Sequence, residues 1–273
     1  MDHTQRLEQM TRIAHQAGER IKEARRAQDY AHRYKGGDEL VTDVDVAVDQ
    51  LIADELEANF PGEARLTEEL SPDRSQLERE GPLWVVDPID GTVNFAYDHV
   101  HVAVSIAWAV DGELELGVVH APFMDETFSA VRGQGAWCNG QAIRCSQADS
   151  LARSLVATGF PYGRDKREPL VRRLSHVLGA CRDIRRNGSA ALDLCHVACA
   201  RLDAYYESVS PWDFAAGLLI AREAGARTGH LYTCPDNLPV DLYGENLLVS
   251  APDIHRELGE LLRHADEGGR LRH

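Results

Sequence analysis

The sequence predicts a layered α/β protein in which two helices and an antiparallel sheet precede a half of alternating helices and strands. Three patterns predict this: a long helical period at the N-terminus, a central run of short apolar segments between turns, and an alternation after residue 150. No Pro/Ser-rich linker divides the 273 residues. We therefore expect one unit, 1–273, in which an α+β half (about 1–150) and an α/β half (about 151–273) share one cleft.

The first half begins with two predicted helices. Apolar residues at three- and four-residue steps predict a helix over 4–27, and a similar period from Val48 predicts a second helix that ends at Pro61-Gly62. Gly36-Gly37 is expected to break the chain between them. Short apolar segments then predict strands, with hairpin turns at Asp111-Gly112 and Asn139-Gly140. These strands are 64–67, 83–86, 103–110, 114–120 and 127–131.

The second half alternates between the two kinds of element. Helices are predicted near 166–179, 189–200, 212–224 and 253–264. Strands are predicted at 154–157, 183–185, 203–207 and 246–250. This order is typical of a mixed sheet with helices packed on it.

Charge and composition exclude several classes of protein. Forty-four acidic and 29 basic residues give a formal net charge of −15, which opposes nucleic acid and anionic membranes as general partners. No segment approaches the roughly 18 apolar residues of a membrane span. The first 26 residues are charged throughout and lack the apolar core of a signal peptide. We expect a cytoplasmic protein with no membrane partner, whose six cysteines are free thiols.

The most informative segment is Leu83–Phe95, where a short apolar run ends in Asp87, Asp90, Gly91 and Thr92. Pro88 has no N–H for a sheet and is expected to end the strand. Two carboxylates beside the first amides of a helix suit a divalent metal that holds a phosphate. Asp-Pro-x-Asp-Gly is also favourable turn chemistry, so the segment alone leaves both interpretations open.

Other carboxylates could complete such a site. Glu68-Glu69 follows a predicted strand, where it is either a solvated loop or the neighbour of a cation. Asp213 precedes a very apolar helix, so it either only complements the helix dipole or also lies near the interior. Asp43, Asp45 and Asp49 cluster at the start of the second helix; a helix N-terminus explains the first two, so only one of these acids is expected to have a functional role.

Together these segments resemble the inositol monophosphatase family of metal-dependent phosphatases. The resemblance runs from about residue 35 to 251 and rests on several motifs in order. The motifs are Leu40-Val41-Thr42-x-x-Asp45, Glu68-Glu69, Trp84-Val-Val-Asp87-Pro-Ile-Asp90-Gly91-Thr92 with Asn94-Phe95, Gly133-x-Gly135-Ala136 with Asn139-Gly140, and Trp212-Asp213 with Ala215-Ala216-Gly217 and Glu223-Ala224-Gly225.

The resemblance implies a layered αβαβα sandwich, a Li⁺-sensitive homodimer, and two to three Mg²⁺ ions in the active site. It implies that Glu68, Asp87 and the Ile89 carbonyl hold one ion, and that Asp87, Asp90 and Asp213 hold a second. A third, weaker ion would contact Glu68 through water. The resemblance also assigns phosphate binding to the amides of Gly91 and Thr92. Thr92, Glu68 and Asp45 would orient and deprotonate the attacking water.

For the alcohol half of the substrate, the resemblance points to Gly188, Ser189, Ala190 and Glu207. Ser189 is equally suited to cap the following helix. We expect a Mg²⁺-dependent phosphomonoester hydrolase that acts on inositol 1-phosphate or a similar polyol phosphate. Histidinol phosphate, fructose 1,6-bisphosphate and 3′-phosphoadenosine 5′-phosphate are the alternative substrates. A catalytically silent regulatory or scaffold protein is the alternative outside enzymes.

Overall fold

The computed structural model describes residues 2–28, 30–35, 39–78, 80–160 and 167–268. The predicted Gly36-Gly37 break and the first residue of the helix predicted near 166–179 lie outside them. The structure is a five-layered αβαβα sandwich, which confirms the expected fold class. Its helices are α1 (His3–Ala27), α2 (Asp43–Asn59), α3 (Thr92–Ala96), α4 (Arg167–Ala180), α5 (Ala190–Ala198), α6 (Pro211–Glu223) and α7 (His255–Asp266).

The larger sheet has seven strands in chain order. The first two strands are parallel and all later neighbours are antiparallel. The strands are β3 (Ala64–Thr67), β4 (Pro82–Asp90), β5 (Ala103–Val110), β6 (Glu113–Ala121), β7 (Glu126–Val131), β8 (Gly135–Cys138) and β9 (Gln141–Ala142). Positive φ angles at Asp111, Gly112, Asn139 and Gly140 confirm both predicted hairpin turns.

The smaller sheet has five strands in the order β11-β10-β12-β14-β13. They are β10 (Leu155–Thr158), β11 (Asp183–Arg185), β12 (Ala204–Glu207), β13 (Arg227–His230) and β14 (Leu247–Ser250). β13 was not predicted. A short hairpin of β1 (His32–Lys35) and β2 (Glu39–Thr42) before α2 was not predicted either.

Three apolar cores join the five layers. Helices α1 and α2 cover the outer face of the larger sheet, α5 and α6 fill the space between the sheets, and α4 and α7 cover the smaller sheet. Adjacent tyrosines in β12 face opposite cores, as strand alternation requires: Tyr205 lies in the middle core and Tyr206 in the outer one. None of the helices described is long and apolar enough to cross a membrane.

The middle layer positions the site because α6 lies unusually close to the larger sheet. A Cβ atom on Gly117 of β6 would lie 2.8 Å from the carbonyl oxygen of Ala216, so only glycine fits at this crossing. Ser105 of β5 donates a hydrogen bond to the Trp212 carbonyl at 3.2 Å. These contacts hold the N-terminal half of α6 against β5 and β6.

Candidate active site

A β-bulge in β4 turns two acidic side chains to the same face of the sheet. Asp87 pairs with Ser105 and Asp90 with Ala103, so three steps along β4 match two steps along β5. Without the extra residue, Asp87 and Asp90 would point to opposite faces. Both now face the middle layer. The expectation that Pro88 ends the strand was wrong, because Pro88 lies within the bulge, where its missing N–H leaves no ladder position unfilled.

Helix α6 brings a third carboxylate to this face. One oxygen each of Asp87, Asp90 and Asp213 lie within 4.8 Å of one another. Asp213 stands in the first turn of α6, where its Oδ2 accepts a hydrogen bond from the Ser210 amide at 2.7 Å. Asp213 therefore complements the dipole of α6 and also lies near the interior, beside Asp87 and Asp90.

The three carboxylates repel one another in a buried setting. Burial, with the nearby charges of Glu68, Asp90 and Asp213, raises the pKa of Asp87 well above its usual range. Burial raises the pKa of Asp213 to about 8, and the charge of Asp90 adds to the effect. Burial also raises the pKa of Asp90 to about 6, although hydrogen bonds from Ser189 and Ala191 oppose the rise. A cation would offset this repulsion, and a set of carboxylate oxygens fits a hard divalent ion.

Glu68 extends the cluster from the loop after β3. It shares a hydrogen bond with Asp87 and lines the adjoining cleft. The loop is held by Asp49, a buried residue of α2 to which the sequence motifs give no role. Asp49 Oδ2 accepts hydrogen bonds from the amides of Glu69 at 3.1 Å and Leu70 at 2.9 Å. Asp45 and Asp49 are one helical turn apart, and this spacing is the signal that both face inward.

Asp45 and Thr92 form a buried pair beside the cluster. Thr92 donates a hydrogen bond from Oγ1 to Asp45 Oδ1 at 2.9 Å. The other oxygen of Asp45 accepts from the amide and hydroxyl of Thr42, at 2.8 and 2.5 Å. The Ile89 carbonyl lies 3.2 Å from Thr92 Oγ1. A hydroxyl has one proton, and the shorter contact favours Asp45 as its acceptor. Desolvation by burial raises the pKa of Asp45.

Gly91 joins β4 to α3 with a left-handed backbone of φ +98°. A Cβ atom there would lie 2.7 Å from the carbonyl oxygen of His101 and 3.2 Å from that of Gly188. Glycine is therefore required both by the dihedral angle and by the close approach. Asn94, one turn further on, donates hydrogen bonds to the carbonyls of His101 and Asn187 at 2.7 and 2.8 Å.

The predicted alcohol-binding turn lies directly across from Asp90. Ser189 caps α5 by accepting from the Leu192 amide, which confirms the capping interpretation. It also donates to Asp90 Oδ2 at 2.5 Å, and the Ala191 amide donates to the same oxygen at 2.7 Å. The start of α5 thereby fixes the orientation of Asp90, a link that the sequence did not reveal.

Two connected depressions adjoin the carboxylates. A cleft of about 560 Å³ is bordered by Glu68, Arg74, Glu207, Trp212 and Asp213, among others. A subsite of about 100 Å³ lies beside it, lined by Asp90, Gly159, Phe160, Arg186, Gly188, Ser189, Ala190, Asp193, Glu207, Val209 and Asp213. Glu207 of the subsite accepts a hydrogen bond at 2.6 Å from the hydroxyl of Tyr205, a core residue, and burial raises the pKa of Glu207 to about 7. The site thus combines a carboxylate cluster with space for a small ligand.

Known proteins resemble this chain in both sequence and fold. Nus factor SuhB of Pasteurella multocida is 38% identical over 258 residues, which covers 90% of this chain and 91% of that protein. Inositol monophosphatase 2 of Solanum lycopersicum is 39% identical over 229 residues, covering 80% and 86%. The solved structure of the Thermotoga maritima IMPase superposes with a TM-score of 0.84 at 30% identity, covering 97% of this chain and 99% of that one.

The net charge predicted that the protein has no nucleic-acid partner. The relatives named Nus factors do not support this prediction. A sequence model described as the inositol monophosphatase family matches residues 2–267. This match spans nearly the whole chain and agrees with the structural similarity, so the chain belongs to the inositol monophosphatase family.

Proposed function

We propose that the protein is a Mg²⁺-dependent phosphomonoester hydrolase that acts on a small polyol monophosphate such as inositol 1-phosphate. The observation that carries this proposal is the convergence of Asp87, Asp90 and Asp213 beside a cleft of ligand size. Membership of the inositol monophosphatase family supports a phosphatase. Asp87 and Asp90 come from the first half of the chain and Asp213 from the second, which supports one cleft shared by both halves.

The proposed ligands of the metal ions are Glu68, Asp87 and the Ile89 carbonyl for one Mg²⁺, and Asp87, Asp90 and Asp213 for another. A third ion near Glu68 belongs to the same proposal. When bound, Mg²⁺ supplies Lewis acidity, which acidifies water and stabilises charge on the phosphate and on the departing oxygen. Burial of Asp87 and Asp90 supports the proposal, because a water-poor site strengthens their attraction for a cation.

The residues of the chain prepare the remaining groups. Thr92 donates a hydrogen bond to Asp45, so the hydroxyl oxygen of Thr92 can accept a hydrogen bond from the attacking water. Glu68 is the proposed acceptor of the proton of that water, and Asp45 acts through Thr92. The amides of Gly91 and Thr92 begin α3 and have no partner within the helix, which suits them to the phosphate oxygens.

The leaving alcohol is assigned to the turn Gly188, Ser189 and Ala190 and to Glu207. These residues line the subsite beside Asp90 and Asp213. Its small volume and its acidic lining favour a compact alcohol with several hydroxyls over a bisphosphate. Histidinol phosphate remains the alternative among monophosphates.

A panel of phosphate esters tests the function. The purified protein is expected to release phosphate from inositol 1-phosphate faster than from histidinol phosphate, fructose 1,6-bisphosphate or 3′-phosphoadenosine 5′-phosphate. Chelation of Mg²⁺ should abolish release, and added Mg²⁺ should restore it. Phosphate is measured at fixed enzyme concentration. Preferential turnover of histidinol phosphate would overturn the substrate assignment, and no turnover of any ester would overturn the enzyme assignment.

A second function is favoured by one finding, the name Nus factor carried by the P. multocida relative. We infer that a regulatory role on the same fold is the alternative to hydrolysis. Absence of phosphatase activity, together with an intact fold by circular dichroism, would support it. A cytoplasmic homodimer also belongs to the proposal, and sedimentation equilibrium tests the oligomeric state.

Asp49 gives a prediction about metal affinity. Asp49→Ala removes the acceptor for the Glu69 and Leu70 amides and should loosen the loop that carries Glu68. The Mg²⁺ concentration for half-maximal activity is expected to rise at least about tenfold, as is usual when the support of a metal ligand is lost. Asp43→Ala in the same helix is the control, since Asp43 bonds the Ala31 amide instead. Equal Mg²⁺ dependence of both variants would contradict the role of Asp49.

A further inference from the structure

The subsite contains a buried carboxylate that neither the sequence motifs nor the proposed mechanism uses. Asp193 lies in the first turns of α5, is 2% exposed, and lines the subsite together with Glu207. Among the described residues it has one hydrogen-bond donor, the Asn187 side chain, which bonds Oδ1 at 2.6 Å. Its second oxygen therefore has no partner from this part of the chain. An acceptor that lines a cavity and has no donor from the protein is open to a ligand that brings one.

Glu207 has a similar arrangement across the subsite. One of its oxygens accepts from Tyr205, and burial raises its pKa, as it does that of Asp193. The Arg186 guanidinium lines the same subsite, and its charge lowers the pKa of both carboxyl groups, but its side chain is exposed and within the described residues it forms no salt bridge with a carboxylate. The Ser189 hydroxyl already donates its proton to Asp90. The subsite thus offers two carboxylates as acceptors to a ligand that brings hydrogen-bond donors.

We propose that Asp193 is a specificity-determining residue that, together with Glu207, accepts hydrogen bonds from two hydroxyls of the leaving alcohol. The site then selects phosphate esters of polyols over esters of alcohols without further hydroxyls. This inference rests on the proposed phosphatase function and names the substrate class of the same site. A buried hydroxyl of the substrate that loses its acceptor is left without a hydrogen bond, so the effect should be measurable.

The substitution Asp193→Asn separates this role from a structural one. The amide oxygen of Asn can still accept from Asn187, so the turn before α5 keeps its hydrogen bond. The oxygen of Asp193 that has no donor is replaced by an amide nitrogen, which donates hydrogen bonds but cannot accept them. The ratio of kcat/KM for inositol 1-phosphate to kcat/KM for phenyl phosphate is expected to fall at least about tenfold. Asp203→Asn, which lies outside both depressions, should leave this ratio unchanged.

Monodeoxy inositol phosphates sharpen the test. For the wild type, kcat/KM should be about tenfold lower on the analogue that lacks the hydroxyl bound by Asp193 than on inositol 1-phosphate. For Asp193→Asn, kcat/KM should differ little between these two substrates. Calorimetry of myo-inositol, the product alcohol, titrated in the presence of Mg²⁺ and phosphate gives a readout that does not depend on turnover. There, Asp193→Asn should bind at least about tenfold more weakly than the wild type.

Several outcomes would overturn the inference, and they differ from failure of the proposed function. If both esters lost activity equally, the ratio would be unchanged, and Asp193 would not bind the alcohol. Equal calorimetric affinities of the wild type and Asp193→Asn would show the same. A wild type that hydrolyses phenyl phosphate but neither binds nor hydrolyses polyol phosphates would also overturn it, while leaving the phosphatase assignment intact. A wild type that hydrolyses neither ester would refute the proposed function, and calorimetry would still decide the role of Asp193.

Discussion

Asp90→Asn is expected to reduce Mg²⁺-dependent phosphate release by more than about 100-fold, because loss of a direct ligand should exceed the 10- to 100-fold effects of its supporting residues. Asp90 is one of three carboxylates with oxygens within 4.8 Å of one another, so the change removes a negative charge from the centre of the cluster. The loss should appear in kcat and in the Mg²⁺ concentration needed for activity. Steady-state phosphate release across a Mg²⁺ titration measures both.

The fold is expected to survive this substitution. An amide oxygen placed where Asp90 Oδ2 lies can still accept from Ser189 and Ala191, so the link between β4 and α5 is retained. The change also removes one of several buried, mutually repelling carboxylates. The thermal midpoint without metal should therefore rise relative to the wild type, while the stabilisation by added Mg²⁺ should shrink. Differential scanning fluorimetry with and without Mg²⁺ measures both effects.

Asp203→Asn is the matched control for this experiment. Asp203 also accepts hydrogen bonds from a serine hydroxyl and a backbone amide, those of Ser146 and Leu155, but it lies outside the cluster. Activity within about twofold of the wild type is expected, because the amide oxygen preserves at least one of these bonds. If Asp90→Asn retained activity comparable to that of this control, Asp90 would not be a ligand of the catalytic metal.

The elements of the fold were largely predictable, because their patterns are local. The helical period in α1 follows directly from which side chains are buried, and the continuous apolar run of β5 follows from burial on both faces of the sheet. The bulge at Pro88 was not predictable, since it is defined by the register of β4 against β5, which a single segment does not contain. The motif residues Gly133, Gly135 and Glu223 show the same limit: the Glu223 carboxylate accepts from both glycine amides across 88 to 90 residues.

The residues of the site also fall into two groups, those that the sequence motifs identify and those that only tertiary contacts reveal. The resemblance identified Asp87, Asp90 and Asp213, and the structure brings these residues together. It gave no role to Asp49 or Asp193, whose partners are backbone amides of a distant loop and a side chain of a turn. A carboxylate at the start of a helix is adequately explained by the helix dipole until its three-dimensional neighbours are known. Tertiary contact therefore decides which acids belong to the site.

Gly91→Ala is expected to lower kcat for phosphate release about 100-fold, since a shift of about 1 Å in a reacting geometry can cost that much. The new Cβ would lie 2.7 Å from the His101 carbonyl oxygen, and backbone atoms cannot rotate away as a side chain can. The start of α3 must move, and the amides of Gly91 and Thr92 move with it. The free energy of unfolding should fall by about 2–4 kcal/mol, from the left-handed backbone and the clash together.

Gly81→Ala separates the two causes. Gly81 has a similar φ of +94°, but a Cβ atom there meets nothing within 4 Å. This variant should lose only the roughly 1–2 kcal/mol that a left-handed L-residue costs, with unchanged kcat. Urea denaturation and steady-state kinetics on both variants therefore isolate the effect of the close approach. If Gly91→Ala matched Gly81→Ala in stability and activity, the close approach to His101 would not matter. Hydrolysis of the phosphate ester would then not depend on the position of α3.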